Sequence, residues 1–439
     1  MAFKLYRKEQ LQLLRTLVKW IILGSWSGMV SGIASAIFLL SLDMATKYRV
    51  HHPAMLLGLP IAGILISVVY TRYGKSVEAG NNLILETVHN PEQQIPFRMA
   101  PLVLVSTVIT HLFGGSAGRE GTAVQMGGSL ANMASRPLRL SRHDHRILIM
   151  SGISGGFGSV FGTPVAGAIF GLEVLTIGRM SYEAIVPCFT ASVVGDIVCR
   201  ALGVKHHIYP TISVPHLSAI LWLSIAVSSV LFAGASALFG ELTHTISERC
   251  KTYIKQPWIR PVLGGITIIA LTGLVHSQQY LGLSLPLIEQ SFTPQGVFWG
   301  AFLLKILFTA ITLGTGFKGG EVTPLFCIGA TLGAAFAKLT GQPMDLFAGL
   351  GFVAVFAGAA NTPLACAAMG IELFGRDMAV PLMAACIISY ILSGHRGIYL
   401  SQKVHTAKSR SIDITQGSML REVRKRANGE QPAEGQEND

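Results

Sequence analysis

Gly114-Gly115-Ser116-Ala117-Gly118-Arg119-Glu120-Gly121-Thr122 sets an arginine and a glutamate among glycines and small hydroxyl residues, between the apolar runs 102–113 and 124–130. In a chain of 439 residues that is 50% hydrophobic and 13% charged, an acid so placed is costly unless it faces a polar cavity or a partner. Glu120 is therefore a candidate for a carboxylate that gives and takes protons. The flanking glycines let backbone approach a substrate closely, and the amides opening the next helix form a positive end suited to an anion. The competing reading is a polar loop cap paired with Arg119.

The composition is too apolar for a soluble globular protein, and the length suffices for ten or more spans of about 20 residues each. An all-α polytopic membrane protein is expected. The net charge of +11 forms no mixed basic and aromatic patch, so nucleic acid is not an expected partner. Lys4, Arg7, Lys8, Arg15 and Lys19 precede the first apolar run, and Lys403, Lys408, Arg410, Arg421, Arg424, Lys425 and Arg426 follow the last. By the positive-inside rule both termini are cytoplasmic, and the number of crossings is even. The run 20–42 is too long for a signal peptide and is read as a retained span. Six scattered cysteines indicate neither a disulfide framework nor a metal site, and no cofactor motif occurs.

The opening stretch has an echo. Gly118-Arg119-Glu120-Gly121-Thr122 returns as Gly319-Gly320-Glu321-Val322-Thr323, and Thr163-Pro164-Val165-Ala166 returns as Thr362-Pro363-Leu364-Ala365, both at an offset of about 200 residues. Gly171 and Glu173 recur as Gly370 and Glu372, Gly128 as Gly329, and Pro60 and Gly63 as Pro261 and Gly264. The chain divides into a short cytoplasmic N-terminus (1–11), a first repeat (12–205), a linker (206–213), a second repeat (214–402) and a polar tail (403–439) expected to be disordered. Apolar runs in the first half lie near 20–42, 54–70, 101–113, 121–134, 147–177 and 183–202, the fifth expected to break at the glycines 155, 156 and 158. Several are too short to cross a bilayer alone. Short, glycine-broken segments at matching places in two halves point to a midplane binding site. If each half crosses an odd number of times, the halves are inverted, which suits a transport protein.

Four stretches put polar groups at membrane depth: Gly80-Asn81-Asn82-Leu83, 118–122, 319–324 and Gly397-Ile398-Tyr399. They offer amide, hydroxyl and backbone donors and two carboxylates, with no row of acceptors for a metal cation, so they select for an anion. The glutamates compete with that anion when charged and vacate when protonated. Plainer readings stand beside these: Asn81 and Asn82 as helix caps or a turn, Thr323 bonded back to its own helix, Tyr399 as an interfacial anchor. Glu173 and Glu372 read as structural acids that bind backbone or a basic partner. Gly152-Ile153-Ser154-Gly155 matches a short motif of intramembrane serine proteases, with His276 or His395 as conceivable bases. Its counterpart at Ser154 is Val353, which leaves that reading remote.

Gly118-Arg119-Glu120-Gly121-Thr122 resembles the Gly-Lys/Arg-Glu-Gly-Pro signature of the CLC family of anion channels and anion/proton antiporters. The two-half pattern, the late tyrosine and the length match as well, over residues 12–402. The resemblance implies a homodimer in a membrane, each subunit with its own pore of two inverted repeats of tilted and re-entrant helices. It assigns the gating glutamate to Glu120 and the central tyrosine to Tyr399.

Three departures narrow the resemblance. Gly80-Asn81-Asn82-Leu83 stands where most members have Gly-Ser-Gly-Ile-Pro, Gly320-Glu321-Val322-Thr323-Pro324 stands for Gly-x-Phe-x-Pro, and Glu173 is followed by Val174 rather than by a second acid. Together they look like the fluoride-exporting branch. The implied roles are gate and proton carrier for Glu120, a second coupling acid at Glu321, and anion binding by Asn81, Gly118, Gly121, Thr323 and Tyr399. The implied cargo is fluoride and protons across a bacterial cytoplasmic membrane. A chloride/proton antiporter or chloride channel of the same family is the alternative.

Overall fold

The computed structural model describes residues 2–135, 137–216, 218–409 and 414–427. Helices α1 (Ala2–His51), α2 (Leu59–Val69), α3 (Asn81–His89), α4 (Met99–Leu112), α5 (Glu120–Met133), α6 (Arg142–Phe161), α7 (Pro164–Glu173) and α8 (Ile185–Ala201) form the first half. The second half repeats them in order: α9 (Ala219–Tyr253), α10 (Ile259–Val275), α11 (Leu285–Ser291), α12 (Ala301–Gly314), α13 (Val322–Thr340), α14 (Met344–Ala360), α15 (Pro363–Phe374) and α16 (Ala379–Leu392). Helix α17 (Leu420–Ala427) closes the described chain, and the strands β1 (Thr176–Ile177) and β2 (Lys403–Val404) pair in parallel. Among the described residues, five helical stretches, Lys8–His51 and Ala219–Tyr253 included, are long and apolar enough to cross a membrane.

Gly63, the prolines Pro60 and Pro261, and the repeated acids lie where the halves touch. A Cβ on Gly63 would lie 2.8 Å from the Cβ of Pro261, and one on Gly265 would lie 2.9 Å from the nitrogen of Pro60, so α2 and α10 cross at their backbones. Glu173 at the end of α7 accepts the amides of Leu364 (3.1 Å) and Ala365 (2.9 Å) at the start of α15. Glu372 near the end of α15 accepts those of Val165 (3.0 Å) and Ala166 (2.8 Å) at the start of α7. Contacts in which i meets j′ while j meets i′ are those of a local two-fold. The reading of both acids as structural holds.

Within each half, glycine pairs set the helix spacing. A Cβ on Gly127 of α5 would lie 2.2 Å from the carbonyl oxygen of Gly152 in α6, and one on Gly329 of α13 would lie 1.9 Å from that of Gly351 in α14.

This corrects the expected break at residues 155, 156 and 158: α6 runs through them to Phe161. Those glycines face α1, α5 and α8 at close range, Gly156 against the carbonyl of Ala123. The real break is Gly162, with φ +73°, followed by Thr163 and Pro164, which cannot continue a helix.

The tail is corrected in part. β2 pairs with β1, and α17 lies along α9 through Arg424, which pairs with Glu241 and Glu248. Residues 428–439 of the expected disordered tail lie outside the described residues. The N-terminal part of α1 and strand β2 meet the start of α6: Lys19 of α1 binds Asp144 in the first turn of α6 at 2.7 Å, and the same turn borders β2.

Candidate functional site

The loops before α5 and α13 meet at the centre of the molecule. Gly114 and Gly316, with φ +85° and +109°, turn the chain out of α4 and α12, a conformation that only glycine adopts without strain. The loops then pair as an isolated antiparallel bridge: Gly118 donates to Gly320 O at 2.6 Å and Gly320 donates to Gly118 O at 2.8 Å. Gly118 is among the expected anion-binding residues; its amide is engaged in this bridge.

The bridge sets the two helix starts side by side, so that the first residue of α5 reaches the first turn of α13. Glu120 is fully buried. Its carboxylate accepts the backbone amide of Thr323 at 3.0 Å and the Thr323 hydroxyl at 2.5–2.6 Å. Arg119 adds only a backbone bond at 3.2 Å and a guanidinium contact at 3.4 Å, so a cap on Arg119 alone is not what holds this acid. Thr323 does not bond back to its own helix among the described bonds; both of its donors face Glu120.

Beside this pair lies a polar cavity of about 140 Å³ lined by Asn81, Glu321, Lys318, Gln125 and Tyr399. A Cβ on Gly121 would sit 2.9 Å from Asn81 Nδ2 and 3.6 Å from Glu321 Oε2, so Gly121 is the spacer that lets both approach the start of α5. Asn81 Oδ1 and Glu321 Oε2 are buried with no hydrogen-bond partner among the described residues. Unpartnered buried acceptors cost about 1–3 kcal/mol each, which marks them as places for a proton, a water or a cargo. Tyr399 is 3% exposed, an interior residue rather than an interfacial anchor. With Asn81 it also borders a pocket of about 10 Å³ whose remaining walls are apolar, among them Val124, Phe170 and Val174. That is room for about one water-sized occupant.

Asn82 does different work from its neighbour. Its Oδ1 accepts the amide of Ser401 at 3.1 Å, and Glu86 one turn on accepts the Ser401 hydroxyl at 2.7 Å. Gln402 fixes the same segment: its amide donates to Val174 O and Ala360 O, each at 2.8 Å, and its oxygen accepts from Asn361 at 3.0 Å. The chain just after Tyr399 is thereby anchored at two consecutive residues.

Sequence reading missed Lys305. It is fully buried in α12 and donates to Ser116 Oγ (2.9 Å), Gly282 O (2.9 Å), Ser284 Oγ (2.8 Å) and Tyr280 O (3.2 Å). It props the first loop from behind with a positive charge and, among the described residues, pairs with no acid. A lone lysine inside the apolar run 301–313 was the available signal. Ser154 is buried in α6, where its hydroxyl reaches Ala168 O at 3.5 Å. His276 bonds Leu274 O and His395 accepts from the Lys408 amide, so the structure does not bring the serine and either histidine together.

Comparisons with known proteins agree with this geometry. The family described as voltage gated chloride channel matches residues 62–394. A chloride/fluoride channel protein of Pseudomonas syringae pv. tomato (strain ATCC BAA-871 / DC3000) is 48% identical over 411 residues, covering 92% of this chain and 91% of that protein. The crystal structure of a CLC-type fluoride/proton antiporter superposes with a TM-score of 0.86 at 34% identity, over 88% of this chain and 98% of its own. A slow cyanobacterial Cl⁻/H⁺ antiporter shares the fold, with a TM-score of 0.74 at 19% identity, over 85% of this chain and 94% of its own.

Proposed function

The chain belongs to the voltage gated chloride channel (CLC) family, and from that premise we propose that it is a fluoride/proton antiporter exporting fluoride from the cytoplasm at the expense of the proton gradient. The observation that carries this reading is the seat of Glu120, whose carboxylate takes both donors of Thr323. A charged carboxylate there stands where a monovalent anion would stand. Fluoride holds its water tightly, so a site must replace that shell with short, strong donors. An amide and a hydroxyl on one residue supply two.

Protonated, Glu120 loses the charge that those donors serve, leaves the seat, and fluoride takes it. When Glu120 releases its proton it competes for the same donors and expels the anion. Each exchange of occupants thus ties one anion movement to one protonation change. Glu321 acts as the second coupling acid, its free oxygen beside the cavity, because Glu173 is engaged by the amides of α15. Asn81, Gly121 and Tyr399 form the anion's path around the seat. The likeness to the Pseudomonas chloride/fluoride channel protein and to the superposed fluoride/proton antiporter supports fluoride as cargo.

The protein works as a homodimer within the lipid of a bacterial cytoplasmic membrane, with its basic ends in the cytoplasm. The shared face of Lys19 and Lys403 supports that topology. The test is efflux from reconstituted vesicles, fluoride against chloride, with proton uptake followed in parallel. Fluoride leaving far faster than chloride, with protons moving oppositely and stopped by Glu120→Gln, is the expected result. Chloride moving as fast as fluoride overturns the fluoride assignment.

A further inference from the structure

A large cavity lies away from the anion seat, beside the start of α6 and the strands β1 and β2. It holds about 450 Å³ and is lined by Arg142, Arg146, Arg179, Lys403, His89 and His405 together with hydroxyl and amide groups, and by no carboxylate among the described residues. Three separate parts of the chain supply the cations. Arg142 and Arg146 stand one turn apart at the start of α6. Arg179 follows β1 and Lys403 opens β2, and the parallel pairing of Thr176 with Lys403 brings them together.

Charges placed only to orient a membrane protein stand apart in solvent. Here four converge on one concavity, although like charges repel. Two are neutralised from outside, Arg142 by Glu92 at 2.6 Å and Arg146 by Glu183 at 3.3 Å. Arg179 and Lys403 have no acid within 4 Å among the described residues, and Arg146 Nε is buried without a hydrogen-bond partner. Guanidinium groups with unspent donors match phosphate oxygens in bidentate fashion. The volume falls in the range of small-molecule sites, above what one inorganic phosphate fills.

We propose that this cavity is a binding site for an anion bearing two or more phosphate groups, either a soluble organic polyphosphate or a lipid headgroup that carries more than one phosphate. The site has a handle on the anion path. His89 ends the helix that Asn81 begins, and Lys403 follows Tyr399 by four residues. An occupant touches the far ends of both segments that border the pore cavity.

The experiment is titration of the full-length protein in detergent with inorganic pyrophosphate by calorimetry. Saturable binding is expected, weakened at least roughly tenfold by Arg179→Gln combined with Lys403→Gln, since each lost charge-assisted bond is worth about 1.5–3 kcal/mol. The single Arg179→Gln variant, at an exposed position, serves if the pair folds poorly. No saturable heat, or equal binding by the variants, overturns the site. Repeating the titration in zwitterionic vesicles with and without a phospholipid whose headgroup carries two or more phosphates separates the sources: suppression by the lipid assigns the headgroup, and unchanged binding assigns the soluble anion. In the same vesicles pyrophosphate should change the fluoride rate of the parent protein and not of the variant. Equal rates with and without it overturn the link to the pore.

Discussion

Glu173 and Glu372 cap each other's helices: the acid ending α7 holds the first amides of α15, and the acid near the end of α15 holds the first amides of α7. Each carboxylate is tied by two backbone donors at a helix N-terminus, where the dipole favours negative charge. The local two-fold is therefore locked by a reciprocal pair.

Glu173→Gln keeps one acceptor of two and drops the charge. Hydrogen bonds to charged groups are worth about 1.5–3 kcal/mol, so the melting temperature should fall by a corresponding step, and similarly for Glu372→Gln. Thermal unfolding in detergent reads this. Protons moved per fluoride should stay the same for the folded protein. A loss of proton movement with undiminished stability would assign Glu173 to the proton route instead.

Thr323→Val removes the hydroxyl at 2.5–2.6 Å from Glu120 and leaves the amide at 3.0 Å. Fluoride and the carboxylate lose the same donor. The fluoride concentration giving half-maximal flux should rise roughly ten- to a hundredfold, the equivalent of about 1.5–3 kcal/mol, and Thr323→Ser should restore it. An unaltered concentration dependence for Thr323→Val would show that fluoride never takes the seat.

The repeat was legible because it rests on residue types that cannot be exchanged freely. Gly63 and Pro261 touch, and so do Gly118 and Gly320, so the sequence could not drift at those places without separating the halves. What a glycine is for was less legible. Gly156 and Gly162 look alike in one dimension, yet one lets α5 close on α6 and the other turns the chain with positive φ. The bond of the Gly118 amide was not legible because its partner, Gly320, lies about 200 residues away. Lys305 was overlooked for a similar reason: its acceptors come from the first loop and from residues 280–284, which only the fold brings together.

Two kinds of glycine make opposite forecasts. Gly329→Ala would set a Cβ 1.9 Å from a backbone oxygen of Gly351, and Gly127→Ala would set one 2.2 Å from that of Gly152. Neither neighbour is a side chain that can swing away, so overpacking should cost about 1–3 kcal/mol or more. Gly234 in α9 has nothing within 4 Å of an added Cβ, so Gly234→Ala should stabilise by about 0.5–1 kcal/mol through helix propensity. Unfolding midpoints of the three variants check the sign.

Asn81 and Asn82 are adjacent and chemically identical, and their environments assign them different work. Asn81 faces the cavity with its Oδ1 unpartnered, whereas Asn82 accepts the Ser401 amide and so helps to hold the segment carrying Tyr399. Asn81→Ala removes an unsatisfied buried acceptor together with an amide donor near Gly121. It should leave stability unchanged or slightly raised while fluoride flux falls. Asn82→Ala strands the Ser401 amide at a cost of about 1–3 kcal/mol, so the melting temperature should drop and flux should fall only with the folded fraction. Flux normalised to folded protein, measured beside thermal unfolding, separates the two. If Asn82→Ala abolishes flux at full stability, the second asparagine belongs to the anion path, and the anchoring role given to it is wrong.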